Sequence, residues 1–496
     1  MRSRLPIRGP AQAALCAAIA LLAGCAVGPN YSKPQVDLPV AWKIDPPWRE
    51  GSPDDAAAKG PWWQRFGDPQ LDALMQKALT ASPTLAAANA RLAQARASSR
   101  AARAGLFPQL NLATRAGNER ISANRPLTRY NSPNDSTIQD NFVVSLGVAY
   151  EADLFGRVQS VVEGARASAE QSAADLESTR LLLTSDLATA YFNLRQVDTE
   201  IDVLNRSIGL QRRSLEFVTN RRDLGAASGL DVAQQQVLID NTLTQLDLLK
   251  RQRAQFENAV ATLTGTPAPL FALAPERTRV TPPPIPVGVP SDILERRPDI
   301  ASAERAMAAA NSQIGVANAA FYPSIVIGPS FGFQATSLSM LFDTPSMIWS
   351  LGVTALQPLF NAGRLQANVD FAKAGYDFTV ANYRRVILTA MQEVEDGMTG
   401  TVALDSAYAQ AQVAIGSSTR LLGLATTRYE GGVSTYLDVI TAQQALLNAE
   451  RTASQLQGQR LLIAVFLVKA LGGDWEGPAA LGSRPVAPAT LSSREP

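Results

Sequence analysis

The sequence predicts a mainly α-helical fold with a smaller β part, made of two copies of one unit. The first observation is a duplication in fixed register. Adding 207 carries Gly156-Arg157 onto Gly363-Arg364, Gly225 onto Gly432, Leu230-Asp231-Val232 onto Leu437-Asp438-Val439 and Gly265 onto Gly472, without a gap. The second is composition. Residues 157–224 hold no proline and are dominated by alanine, leucine, glutamine, glutamate and arginine, the best helix formers. Residues 156–265 therefore read as a helical hairpin turning at 225–229, and 363–472 as its copy. The third is a change of period. Between the helices lie segments about ten residues long in which apolar and polar residues alternate, the spacing of strands.

The elements follow in chain order. Residues 25–68 form a proline-rich tether; Trp62-Trp63 suits a buried wall, and Asp68 is placed to cap the helix starting at Pro69. That helix runs to Gly105 with a break at Ser82-Pro83, because proline disfavours helix in its predecessor. Strands are expected at 109–118, where Leu110 and Leu112 alternate with Gln109 and Asn111, and at 141–152, where Phe142, Val144, Leu146, Val148 and Tyr150 alternate with smaller or polar residues. The first repeat spans 69–265, and a proline-rich linker, 266–290, leads to the second, 291–472, where Ser291 or Asp292 is placed to cap. The second repeat keeps the pattern. Pro83 and Pro108 recur as Pro298 and Pro323 at an offset of 215, and Ser145-Leu146-Gly147-Val148 recurs as Ser350-Leu351-Gly352-Val353 at 205, with strands expected at 323–334 and 347–356. The tail, 473–496, is rich in proline, alanine and serine.

The first long helix, at about 1.5 Å per residue, would measure about 100 Å, too long for one compact domain to surround. Its apolar positions recur at threes and fours, so it needs neighbouring rods; a plain coiled coil satisfies that requirement as well. The strands decide between these. Apolar outer faces and small polar inner faces match strands of a membrane barrel, and four strands cannot close one, because a sheet in lipid has no permitted edge. Three copies supply twelve strands and twelve long helices, giving a trimeric α/β barrel with four transmembrane strands and two helical hairpins per protomer.

Composition narrows the chemistry. There is no histidine, and the only cysteines are Cys16 and Cys25, which removes the commonest metal ligands and general bases. The formal charge of +1 becomes 1 − 3 = −2 without Arg2, Arg4 and Arg8, so there is no basic footprint for nucleic acid. No nucleophile elbow, phosphate loop or metal-spaced cluster is present, and neither an enzyme nor a cofactor is expected. The three arginines precede an apolar run, 11–23, too short to span a bilayer comfortably, which marks 1–24 as a signal peptide. Leu22-Ala23-Gly24-Cys25 is similar to a bacterial lipobox. Cleavage there would leave Cys25 at the N-terminus carrying diacylglycerol and palmitate, and the absence of aspartate at Ala26 fits sorting to the outer membrane.

Three motifs then carry a family resemblance: Cys25-Ala-Val-Gly-Pro-Asn-Tyr31, Pro290-Ser-Asp-Ile-Leu-Glu-Arg-Arg-Pro-Asp-Ile300, and Arg428-Tyr429-Glu430-Gly431-Gly432-Val433-Ser434-Thr435-Tyr436-Leu437-Asp438-Val439. The chain resembles the TolC-like outer-membrane efflux proteins, in their NodT-like or OprM-like lipoprotein lineage. The resemblance implies a homotrimeric exit duct in the cell outer membrane that extends into the periplasm. Its partners would be a periplasmic membrane-fusion adaptor and a resistance-nodulation-division pump of the inner membrane, and its cargo drugs or other small toxic compounds. The outlet of a type I protein-secretion system shares the architecture and is the alternative. The resemblance also places the periplasmic mouth at the hairpin tips, Gly225, Gly229, Gly432 and Ser434. Asp231 and Tyr429 match residues that link hairpins, and Asp438 matches an acidic ring at the constriction. Each is alternatively a solvated residue at a helix end. Two departures stand out: Ser434 replaces an arginine of the gate, and Thr441 an additional acid.

Overall fold

The computed structural model describes residues 27–33, 61–124, 136–276, 280–285 and 296–473. The segment expected to be a signal peptide, Cys25, Ser291, Asp292 and most of the expected tether, linker and tail lie outside them. Seven α-helices are found among the described residues: α1 (Pro69–Ala81), α2 (Pro83–Ala104), α3 (Arg157–Asp223), α4 (Gly229–Leu263), α5 (Pro298–Ala319), α6 (Arg364–Glu430) and α7 (Tyr436–Ala470). The duplication holds to the residue. α2 and α5 match end for end at 298 − 83 = 215, while α3/α6 and α4/α7 match at 364 − 157 = 207 and 436 − 229 = 207.

The chain divides into two compact units, and α2, α3, α5 and α6 are each shared between them. The first unit contains the sheet. Strand β1 (Gln109–Ile121) pairs antiparallel with β2 (Thr137–Ala152), from Gln109↔Ala149 to Ile121↔Thr137. On its other edge β2 meets β3 (Ser324–Ile327) at Tyr150↔Ile327 and β4 (Ser330–Ala335) at Gly147↔Ser330; β5 (Met347–Ser350) then pairs with β4, and β6 (Val353–Leu356) with β3. These six segments are four strands. The register is unbroken across the gap, which falls where Gly328-Pro329 faces Leu351-Gly352. Pro329 has no N–H to give the ladder, although its carbonyl still accepts from Val148 N at 2.8 Å and Gly328 N donates to Gly352 O at 3.0 Å. The segments expected at 323–334 and 347–356 are thus each cut in two, and the first hairpin extends to Ile121 and Thr137, beyond its expected ends at 118 and 141.

Pairing lines up one apolar row, Leu112, Leu146, Phe331 and Trp349, across all four strands, and each of these side chains is at least 45% exposed. The adjacent row on the opposite face is Asn111, Gly147, Ser330 and Ser350, small and polar. Among the described residues, β1 at one side and β5 with β6 at the other carry unpaired edges.

The second unit packs the hairpins and α1. Asp68 caps α1, accepting from Gln70 N at 3.0 Å and Leu71 N at 3.1 Å, and Ser82 before Pro83 is extended, which ends the helix. Trp62, Trp63 and Phe66, in a short 3-10 helix, are buried. Midway along α3, Arg195, only 1% exposed, donates to Asp198 Oδ2 (2.8 Å), to the Ala274 carbonyl (2.8 Å) and to the Gln70 side-chain oxygen. Arg253 of α4 reaches Asp198 Oδ1 at 2.6 Å and the Leu273 carbonyl at 2.5 Å. Residues 273–276, after the first hairpin, are thereby strapped onto it. The repeat counterpart, Asp405 with Arg460 at 2.5 Å, has its aspartate side chain 53% exposed.

Candidate functional site

The two hairpin tips are the same motif with unequal contents. Each ends its descending helix with a glycine in the left-handed region, Gly225 at φ 79° and Gly432 at φ 71°. The next amide closes the turn, Ala226 N onto Arg221 O at 2.7 Å and Val433 N onto Arg428 O at 2.9 Å. A side chain at either glycine would strain the backbone, which explains the glycine at both. Gly229 is different: it is the first residue of α4, and its repeat counterpart Tyr436 opens α7.

That difference breaks the symmetry. Tyr436, 2% exposed, fills the core between the hairpins with Val218, Leu238, Ala425, Tyr429 and Val439. Its hydroxyl donates to Gln235 Oε1 at 3.0 Å, Gln235 Nε2 donates to the Gln211 carbonyl at 3.0 Å, and Gln443 Nε2 donates to Ser214 Oγ at 2.8 Å. This buried polar layer joins α3, α4 and α7 just behind the tips. Burial, reinforced by the charges of Tyr429 and Asp231, holds the Tyr436 phenol well above its ordinary range, so it stays a neutral donor.

Of the sequence-predicted residues, Asp231 and Asp438 occupy equivalent first turns. Asp231 completes a capping box: its carboxylate accepts from Ser228 N at 3.0 Å while Asp231 N donates to Ser228 Oγ at 3.2 Å. Asp438 lacks the reciprocal cap; Thr435 Oγ1 donates to its carboxylate at 3.5 Å, and it remains exposed. Tyr429 is buried with its ring 5.0 Å from that of Tyr436. Its phenol is pushed up by burial and by the Asp231 charge, against an opposing pull from Arg221, but no hydrogen bond joins Tyr429 to Asp231.

Arg221, which sequence reasoning missed, stacks its guanidinium 4.9 Å from the centre of the Tyr429 ring and donates to the Glu430 carbonyl at 3.4 Å. It carries a cation from the end of α3 to the end of α6. The usable signal was position: a basic residue in the last turn of the descending helix. Arg221 Nε, Tyr429 Oη and Ser434 Oγ are buried and have no partner among the described residues. No group of three or more carboxylates and thiols able to hold a metal ion occurs among the described residues, and none of their helices is long and apolar enough to cross a membrane.

An antiparallel sheet with an exposed apolar row, joined in one chain to two polar-tipped helical hairpins of 67 and 35 residues, defines a protomer of a membrane-inserted α/β channel. A family model described as outer membrane efflux protein matches residues 74–266 and 289–473, and the chain belongs to that family. It is 32% identical to the pyoverdine export outer membrane protein OpmQ of Pseudomonas aeruginosa over 93% of this chain and 96% of that one. It is also 32% identical to the toluene efflux pump outer membrane protein TtgC of Pseudomonas putida, over 92% and 94%. The solved outer-membrane channel OprN superposes with a TM-score of 0.82 at 26% identity, covering 91% of this chain and all of that one. The chain is therefore an outer-membrane efflux channel, mainly α with a β part that spans the membrane.

Proposed function

We infer that three copies close one twelve-stranded barrel and that the duct opens and shuts at the hairpin tips. The observation that carries this reading is the four-stranded sheet with an apolar row on one face and unpaired edges on both sides. Unpaired N–H and C=O groups cost several kcal/mol each in hydrocarbon, and pairing β1 of one copy with β5 and β6 of the next satisfies them. The duct carries no chemistry of its own. Energy comes from an inner-membrane pump of the resistance-nodulation-division class, and a periplasmic adaptor engages the tips. The cargo is small toxic compounds of the kind that the relatives' names record, from a siderophore to a solvent. Cys25 carries the acyl chains, as a second hold beside the barrel.

Two measurements test this. A deletion strain should gain susceptibility to dyes, solvents or antibiotics and regain resistance from a plasmid copy, and the protein in mild detergent should run as a heat-modifiable trimer. A monodisperse folded monomer would overturn the shared barrel. Cys25→Ala should lose incorporation of labelled palmitate yet leave part of the protein in the outer membrane, because the strands themselves span the bilayer; continued labelling would exclude acylation there.

A further inference from the structure

Beside the end of α7 lies a groove lined by Trp62 and Trp63 of the 3-10 helix, Leu79 of α1, Arg180 and Leu181 of α3, and Gly473. Its volume is about 320 Å³, at the small end of the range for ligand sites. The two indoles meet edge to face with centres 5.9 Å apart, and Trp62 Nε1 donates to Thr184 Oγ1 at 3.4 Å. The buried Trp63 Nε1 has no acceptor among the described residues, and Arg180 is exposed.

Gly473 is also the last described residue, so the chain passes out of the second hairpin along the groove. Gly472 and Gly473 both lie at φ 94°, in the left-handed region, and a side chain at Gly473 would meet Leu181 Cδ1 at 2.5 Å. The backbone is thus pressed against α3 where it leaves α7. Asp474-Trp475-Glu476 follow, and Trp475, two residues on, has about 7 Å of extended chain in which to move away. The first repeat folds its own exit segment back in the same way. After Gly265, the counterpart of Gly472, the Phe271 ring lies 5.9 Å from Lys77 Nζ on α1, and the Leu273 amide donates to Glu257 Oε1 at 2.6 Å.

The geometry points to the chain's own residues 474–476 as the occupant: Trp475 seats against Trp62, Trp63 and Leu79, and Asp474 and Glu476 lie beside Arg180. The indole leaves water and adds a ring to an edge-to-face cluster, both of which favour the seat. The charges fit as well. Arg180 meets Glu177 only at 3.5 Å, a long contact, and a guanidinium has five N–H groups to give. Trp42 and Trp48 are the other tryptophans outside the described residues, and the nearer is 61 − 48 = 13 residues from Pro61, which also lines the groove. Local concentration falls roughly as the −3/2 power of linker length, so the two-residue link of Trp475 outcompetes it. The seat ties the end of α7 to both α1 and α3.

The test is the rate at which a maleimide labels Leu79→Cys in the full-length protein in mild detergent, with the unsubstituted protein as the background. Labelling should be slow. Adding Trp475→Ala should speed it severalfold, Trp475→Phe should keep most of the protection, and Trp48→Ala should change nothing. Asp474→Lys with Glu476→Lys should also speed it, and Arg180→Glu should take back part of that gain. In a cysteine-free readout, Trp475→Ala should lower the thermal midpoint of the parent but add little to the loss when Leu79 and Leu181 are already alanine. Fast labelling of Leu79→Cys alone means an empty groove and overturns the assignment. Acceleration by Trp48→Ala in place of Trp475→Ala overturns it in favour of the tether, and slow labelling that no tail substitution changes overturns it in favour of a neighbouring copy. Additive thermal losses remove the contact between Trp475 and the two leucines. Lysine substitutions without effect, or without rescue by Arg180→Glu, overturn the pairing of the tail with Arg180.

Discussion

Replacing Arg221 with alanine should loosen the tips. Its guanidinium is 4.9 Å from the centre of the buried Tyr429 ring, inside the roughly 6 Å range of a cation–π contact worth about 0.5–2 kcal/mol. Its bond to the Glu430 carbonyl, at 3.4 Å, is longer than a good N–H···O contact and adds little. Taking ~1 kcal/mol per chain, three tips that open together lose ~3 kcal/mol, and with about 1.4 kcal/mol per tenfold the closed-to-open ratio falls roughly a hundredfold. Tips that open independently would each shift only about fivefold, so the size of the effect also reports whether the gate is concerted. Single-channel recording in planar bilayers reads the open probability directly. Arg221→Lys, which keeps the charge but not the flat stacking surface, should fall between. Arg222→Ala is the control, because Arg222 is exposed and its ion pair is with the adjacent Asp223 at 2.6 Å. An Arg221→Ala channel with the open probability of the parent would refute the clasp and leave the cation as solvated charge.

Other outcomes follow from the same geometry. Asp231→Ala with Tyr429→Phe should raise resting conductance, because Asp231→Ala removes the capping box that holds the start of α4, while Tyr429→Phe alone should leave the thermal stability of the detergent-solubilised protein unchanged or slightly higher, since its hydroxyl has no partner among the described residues; a marked loss would show that a neighbouring copy bonds it. Asp438 is exposed in the first turn of α7, so Asp438→Asn should lower cation selectivity and multivalent-cation block without affecting assembly, as reversal potentials in a salt gradient would reveal. Asp198→Asn leaves the buried Arg195 and the partly covered Arg253 undercompensated and should cost about 3–5 kcal/mol, whereas the exposed counterpart Asp405→Asn should cost ~0–1 kcal/mol. Equal losses in denaturant midpoint would mean that the strap at 273–276 does not bury the first pair in solution.

Much of the architecture is legible in the residues because it depends on local stereochemistry. The left-handed turns need Gly225 and Gly432, Asp68 caps a helix whose first residue is proline, Pro83 stops one helix and starts another, and the two-residue period of the strands sorts Leu112 from Asn111. The duplication is legible for the same reason: equal segments carry equal local preferences, and the helices they form match end for end. What the tertiary structure alone decided is where equal segments part company. Asp198 is buried and Asp405 exposed, although both pair with an arginine one hairpin arm away. Tyr436 sits in the core where Gly229 leaves nothing, and Arg221 meets Tyr429 across more than two hundred residues of chain. These differences come from which surfaces cover each copy, and a side chain's neighbours across such separations leave no trace in the period of its own helix.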